Sequence, residues 1–328
     1  MSKLLSIIIP VYNEEESLPH LTPRLDALIA LLEGNVAVEV WLIDDHSTDK
    51  TAFLLRAICD ENPAYHFIRL AANSGSHIAI LAGLQQCHGD CAVILAADLQ
   101  DPPELIPEML EQWRENNHVV WAVRSQREGL SRTEIFMANL FYRLLNTFSE
   151  VKLPPTGADY SLIDRVVINA LLQSVTANPS LALDVARLGF NQVEMPYVKA
   201  ERKYGVSKWN LRKKLTAFAD AFVSISFMPL RLMSYLGMTV SAIGFAYAIL
   251  IVIFRLTGIV QVDGWAALMI VVLVFGGIQM IMLGVIGEYL WRTLEQSRKR
   301  PMYFIEASSE DGDSHAQKAP SSQETLPE

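Results

Sequence analysis

The chain has 328 residues, of which 51% are hydrophobic and 19% charged, against roughly 25% charged in an ordinary soluble domain. This excludes disorder and coiled coil for most of the length, and the length suggests two domains. The formal net charge is −9, and residues 301–328, with six acids and one lysine, contribute −5 of it. No basic stripe crosses residues 1–198, so no nucleic-acid partner is expected.

In chain order, short apolar runs at Leu4–Ile9, Ala37–Ile43, His66–Leu70, Cys91–Ala96 and Val119–Val123 predict strands. Ser17–Leu32 and Thr48–Glu61 predict helices between them. This alternation argues an α/β domain with a largely parallel sheet. The first run is too short for a signal peptide, and a Pro-Val-Tyr-Asn-Glu turn follows it.

Ligands of such sheets bind at the carboxyl ends of the strands. The polar clusters fall there: Tyr12-Asn13-Glu14, Asp44-Asp45, Asn73-Ser74-Gly75 and Asp98-Leu99-Gln100-Asp101. No Gly-x-Gly-x-x-Gly follows the first strand, and no Walker A sequence is present, which weighs against a dinucleotide dehydrogenase and a P-loop kinase. Ser47 or Thr48 is expected to cap the second helix. Asp101, before Pro102-Pro103-Glu104, reads as an N-cap with proline in the first turn.

Cys59, Cys87 and Cys91 are the three cysteines. Cys87 and Cys91 flank His88, but no second pair has zinc-site spacing, so buried or semi-buried thiols in a reducing compartment are expected. The histidines form no cluster. His77, near a helix start, reads either as a phosphate contact or as a surface residue.

Basic residues gather at Lys199, Arg202, Lys203, Lys208, Arg212, Lys213 and Lys214, just before the apolar region. In Trp209–Leu230, Leu211, Leu215, Phe218, Phe222 and Ile225 keep helical spacing. That segment reads as an interfacial helix on the inner leaflet, with a helix packed on the soluble domain as the alternative.

Between Arg231 and Arg255 lie 23 uncharged residues, and between Asp263 and Glu288 lie 24 more. At about 1.5 Å per residue the shorter stretch is about 35 Å of helix, enough to span a core of about 30 Å. The connection is short, so the two spans form a hairpin. The flanks are basic, with Arg292, Arg298, Lys299 and Arg300 after the second span, while the connecting loop holds only Arg255. Both termini are therefore expected in the cytoplasm.

Four segments in this order carry a resemblance: Ser6-Ile-Ile-Ile-Pro-Val-Tyr-Asn-Glu14, Asp44-Asp-His-Ser-Thr-Asp49, Asp98-Leu-Gln-Asp-Pro-Pro-Glu104 and Gly205-Val-Ser-Lys208. Followed by two spans, they resemble the polyprenyl-phosphate glycosyltransferases among the family 2 inverting glycosyltransferases. The resemblance runs from about Lys3 to Arg300. It implies a GT-A, Rossmann-like fold. It also implies an inner-membrane enzyme that moves a sugar from a nucleotide diphosphate, of UDP or GDP type, to a polyprenyl phosphate.

The expected organisation is a cytoplasmic GT-A domain over 1–208, the interfacial helix over 209–230, and a membrane hairpin over 231–300. The spans are expected at 232–254 and 264–287, and a disordered acidic tail over 301–328. A homo-oligomer is left open.

By the same resemblance, Pro10, Tyr12 and Glu14 line the nucleoside pocket and Asp45 accepts a hydrogen bond from the nucleoside. A carboxylate suits that task because it accepts and does not donate. The family's metal motif, Asp-x-Asp-x-Gln, falls on Ala96, Asp98 and Gln100, so its first carboxylate is missing here. Asp98 and Gln100 are the expected ligands of Mg2+ or Mn2+, since magnesium is held by one or two carboxylates with phosphate oxygens and water.

Arg124, Arg202 and Lys208 match basic positions for donor diphosphate or acceptor phosphate. For the last two, a lipid-attracted basic patch is the alternative. Asp159, in Thr156-Gly-Ala-Asp-Tyr-Ser161, matches the family's proposed catalytic aspartate, and Ser161 stands where an arginine is frequent. The acceptor phosphate is mostly dianionic at neutral pH, so Asp159 is expected to position rather than to remove a proton.

Two rivals differ in kind. A processive polysaccharide synthase would carry Gln-x-x-Arg-Trp and more spans, and Glu111-Gln-Trp-Arg114 does not match. A non-catalytic donor-binding scaffold is motivated by Ala96.

Overall fold

In the computed structural model, which describes residues 3–124, 159–174, 179–199, 228–257, 264–298 and 300–309, one sheet forms whose inner strands are buried on both faces. Along β1 (Lys3–Val11), Leu5, Ile7, Ile9 and Val11 enter one core and Ile8 the other. The two-residue period of a strand sends neighbours to opposite faces, and both faces here are covered.

Helix α1 (Leu18–Leu32) lays Leu18, Leu21, Leu25, Leu28 and Leu32 on the first core at helical spacing. β2 (Val36–Asp44), α2 (Thr51–Glu61), β3 (Tyr65–Leu70), α3 (Ser76–Gln86) and β4 (Cys91–Ile94) follow in alternation. A short 3₁₀ turn (Pro103–Leu105) leads into α4 (Ile106–Arg114) and then β5 (Val119–Arg124). The remaining elements of the sheet domain are β6 (Ser161–Asp164), α5 (Arg165–Ser174), α6 (Leu181–Arg187) and β7 (Gln192–Tyr197).

The strand order is β7-β5-β6-β4-β1-β2-β3-β8, with β8 formed by Ile305–Ser308. β4, β1, β2 and β3 are mutually parallel, and so are β5 and β7. β6 runs antiparallel to β4 and β5, and β8 antiparallel to β3. The sheet is thus α/β and mostly parallel, as expected.

The tail expected to be disordered over 301–328 needs a correction. Its residues Ile305–Ser308 pair with β3 through Leu70↔Ile305, Arg69↔Ala307 and Ile68↔Ser308. The physical reason is the open edge of β3, whose unpaired N–H and C=O groups another strand satisfies. Residues 310–328 lie outside the described residues.

The chain divides into two compact units; of the described residues, 228–257, 264–298 and 300 belong to the second, and the chain returns to the first unit from Pro301. In the second unit, α7 (Met228–Leu256) and α8 (Trp265–Ser297) have 29 and 33 residues. Among the described residues one helix is long and apolar enough to cross a membrane, over Val274–Trp291 in α8, and none of that window is buried. A shorter apolar stretch in α7 covers Gly237–Tyr247. Large apolar side chains on both helices stand in the open, among them Phe245 at 73% and Met280 at 72% exposure. The two helices touch where Gly237 faces Met282. The expected interfacial helix falls at 209–230, of which 209–227 lie outside the described residues.

The thiols of Cys87 and Cys91 are buried and that of Cys59 is half-buried. Near Cys87, the Glu39 carboxylate accepts the Ser6 hydroxyl at 2.6 Å and the backbone N–H groups of His88 at 2.6 Å and Gly89 at 3.2 Å. No side chain fits at Gly89, because a Cβ there would lie 2.4 Å from the Ser6 Oγ. Burial pushes the Glu39 pKa up, but the hydrogen bonds from Ser6 and His88 outweigh it and hold the carboxyl below its ordinary value.

A lowered folded-state pKa contributes stability at pH values above the unfolded pKa, which is lost as pH falls through the folded one. Glu39→Gln is therefore expected to cost about 1–3 kcal/mol at neutral pH, a cost that shrinks in acid. Thermal melts of both proteins at neutral and acidic pH check this; a gap that does not change with pH contradicts it.

Candidate active site

The parallel strands β1, β2, β3 and β4 bring their carboxyl ends to one rim. Val11 pairs with Asp44, and Ile8 with Ile94, so the segments after β1, β2 and β4 leave the sheet side by side. The chain turns sharply at each exit through a left-handed residue: Asn13 at φ 53°, His46 at φ 61° and Leu99 at φ 60°. Asparagine tolerates this region, whereas leucine pays a steric cost there, and such strain gathers at ligand sites.

Asp44 is fully buried and is held by Arg69 and by the Ser47 backbone N–H at 2.8 Å. Arg69 donates a further bond to the Ser47 carbonyl at 3.2 Å. The Ser47 hydroxyl accepts the Asn13 N–H at 2.9 Å, and the Asn13 side-chain oxygen accepts the Thr48 N–H at 2.8 Å. Ser47 and Thr48 therefore tie the β1 and β2 turns together and do not cap α2, a correction to their expected role. The first N–H of that helix, on Thr51, is taken by Asp49 at 2.9 Å. No sequence motif marks Arg69; its signal is a charge next to the last residue of β3.

Asp45, 3% exposed, accepts the backbone N–H of Ser74 at 2.7 Å and of Gly75 at 2.8 Å. It thereby holds the turn before α3, where Gly75 adopts φ 92°, a value suited to glycine alone. Burial raises the Asp45 pKa, with the two N–H bonds pulling the other way. Two bonds leave a carboxylate capacity to accept more. Pro10, Tyr12 and Glu14 are half-buried at the end of β1, and the Glu14 carboxylate accepts the Ser17 hydroxyl at 2.7 Å. His77 is exposed at the start of α3.

Beyond β4, Asp98 is half-buried and accepts the Gln100 N–H at 3.2 Å across the Leu99 turn. Among the described residues no group of three His, Cys, Asp or Glu side chains could hold a metal ion. A cation at Asp98 and Gln100 would thus take its protein charge from one carboxylate. That set fits magnesium, which completes its shell with phosphate oxygens and water.

Asp101 is not a helix cap. Its carboxylate is 1% exposed, accepts the Tyr197 hydroxyl at 2.5 Å and pairs with Lys199 at 3.2 Å. The residue thus fastens the Asp98 loop to the end of β7, and burial together with Asp101 pushes the Tyr197 pKa up. Asp101→Ala leaves Lys199 without its carboxylate and is expected to cost on the order of 3 kcal/mol of stability. Denaturant unfolding checks it; an unchanged midpoint contradicts it.

β6 runs against β4, and Ile94 faces Ser161, so the residues just before β6 reach the same rim. Asp159 lies there, 72% exposed on its side chain, with an oxygen 3.5 Å from the Arg124 guanidinium at the end of β5. Arg124 in turn stands opposite Tyr197 in the register. The structure thus brings Pro10, Tyr12, Glu14, Asp45, Asp98, Gln100, Arg124 and Asp159 to strand ends on one rim. Arg202 and Lys208 lie outside the described residues.

Comparison with known proteins gives a family match described as glycosyl transferase family 2 over residues 6–172. An uncharacterized glycosyltransferase of Synechocystis is 37% identical, over 92% of this chain and 94% of that one. A prophage bactoprenol glucosyl transferase homolog of Escherichia coli is 32% identical, over 92% of this chain and 98% of that one. An undecaprenyl-phosphate 4-deoxy-4-formamido-L-arabinose transferase of Pseudomonas aeruginosa is 35% identical, over 92% of this chain and 89% of that one.

Proposed function

We propose, from the fact that the chain belongs to glycosyl transferase family 2, that it transfers a sugar from a nucleotide-diphosphate sugar to a membrane polyprenyl phosphate. The observation that carries this reading is the match over 92% of the chain to relatives whose names specify bactoprenol or undecaprenyl phosphate. The sugars in those names differ, so the choice of sugar and nucleotide is left to experiment.

In this reading the domain is of GT-A type, and the rim at the strand ends is the donor site. Pro10, Tyr12 and Glu14 flank the nucleoside, and Asp45 accepts from it while fixing the turn at Ser74 and Gly75. A divalent cation, Mg2+ or Mn2+, held at Asp98 and Gln100 would neutralise the diphosphate and stabilise it as leaving group.

Arg124, Arg202 and Lys208 bind phosphate oxygens of donor or acceptor. An oxygen of the acceptor phosphate forms a bond to the anomeric carbon as the bond to the diphosphate breaks. In-line attack inverts the configuration and releases a nucleoside diphosphate. Asp159, beside Arg124, orients the acceptor, whose second phosphate ionisation has a pKa of about 6, so that no proton need be removed.

The segments 232–254 and 264–287 form two spans with both termini on the cytoplasmic side of the inner membrane. The 23 and 24 uncharged residues, the exposed apolar faces of α7 and α8 and the basic flanks support this arrangement. The reading is tested by offering purified full-length protein a panel of nucleotide sugars with a short polyprenyl phosphate and Mg2+. Nucleoside diphosphate release that requires the lipid supports it. Binding of a donor without any turnover would favour a non-catalytic scaffold.

A further inference from the structure

Among the described residues, one acidic side chain at this rim comes from beyond the second long helix. Glu306 lies in β8, after α8 in sequence, and its carboxylate accepts the Arg69 Nε–H at 2.9 Å. The same carboxylate is 3.5 Å from the His46 Nδ1. Arg69 has its other nitrogens committed to Asp44 and to the Ser47 carbonyl. Its guanidinium is planar with a fixed fork of donors, so holding the Nε edge sets the aim of the other two.

Those two bonds hold the turn from Asp44 to Thr48, which carries Asp45 and receives the Asn13 N–H at the Ser47 hydroxyl. Other contacts dock the strand without touching Arg69. The Tyr303 hydroxyl donates to the Gln85 side chain, and the Phe67 N–H donates to the Ser309 hydroxyl at 3.0 Å. Backbone bonds join Ala71 to Phe304 and Ser309 to Phe67. Glu306 is half-exposed, so its pair with Arg69 adds little to global stability.

We propose that Glu306 is a positioning residue of the donor-nucleotide site, acting through Arg69 on the Asp44–Thr48 turn. It follows that β8 contributes one side chain, Glu306, to the donor-binding apparatus. The proposal rests on the reading of this rim as a donor site.

Its effect belongs in donor affinity, because the turn precedes the chemistry and no step acts on it. Glu306→Ala in the full-length protein is expected to raise the donor KM and the Kd for UDP or GDP about tenfold, with kcat within about twofold. Glu306→Gln, whose amide oxygen can still accept the Nε–H, is expected to recover most of that loss. Tyr303→Phe and Ser309→Ala loosen the strand but leave the Arg69 bond, so they are expected to stay near wild type. Equilibrium binding of UDP and GDP and steady-state kinetics on all five proteins read this out.

Wild-type affinity in Glu306→Ala overturns the proposal. So does an equal loss in Tyr303→Phe and Ser309→Ala, or a fall in kcat with KM unmoved. Failure of the donor-site reading itself would show elsewhere, as a wild-type protein that binds neither nucleotide, and would overturn the proposal with it.

Discussion

Asp98→Ala is expected to lower turnover by a factor of a hundred or more. In the proposed site this carboxylate is the sole protein charge on the cation, since position 96 is alanine. Losing it removes the charge that would hold the cation against the departing diphosphate, and one such transition-state contact is worth about 3–4 kcal/mol. The loss should persist at saturating donor, because it acts on the leaving group and not on nucleoside binding. Steady-state kinetics over a Mg2+ titration are the check. Near-normal kcat at high Mg2+ would remove Asp98 from the site.

The second large effect is expected at Asp45. Asn keeps the shape, but its amide nitrogen cannot accept one of the two N–H groups that the carboxylate now takes from Ser74 and Gly75. An N–H left facing a donor costs about 1–3 kcal/mol. In the proposed site the same side chain also accepts from the nucleoside, so donor affinity should fall about tenfold or more beyond any loss of stability. Calorimetric binding of UDP or GDP to Asp45→Asn, beside its melting temperature, separates the two. A destabilised protein with unchanged nucleotide affinity would leave Asp45 a structural role only.

The first five strands were legible because a strand covered on both faces is a continuous apolar run, and β1 to β5 begin or end within about two residues of those runs. β6, β7 and β8 lack that signal. β6 (Ser-Leu-Ile-Asp) and β8 (Ile-Glu-Ala-Ser) hold no apolar run longer than two residues, and β7 carries Pro196, tolerated because β7 is at an edge of the sheet. Ile305-Glu-Ala-Ser308 is a strand only because β3 offers it an edge, which no local pattern records.

The site divides in the same way. The motifs after β1, β2 and β4 could be placed at strand ends from order and spacing. Their bonds could not, because the partners are remote: Asp101 meets Tyr197 and Lys199, and Asp44 meets Arg69. Local grammar reads an aspartate before two prolines as a cap, and a serine before a helix likewise. In both cases a tertiary contact claimed the side chain.

The most direct measurement follows a labelled sugar from nucleotide to lipid. Purified full-length protein receives the donor selected by the panel, a short polyprenyl phosphate and Mg2+, and the lipid product is extracted and its anomeric configuration determined. One sugar per polyprenyl phosphate is expected, with configuration opposite to the donor's, together with an equal amount of nucleoside diphosphate. Release of nucleoside diphosphate with no labelled lipid, a lipid bearing a run of sugars, or retained configuration would contradict it.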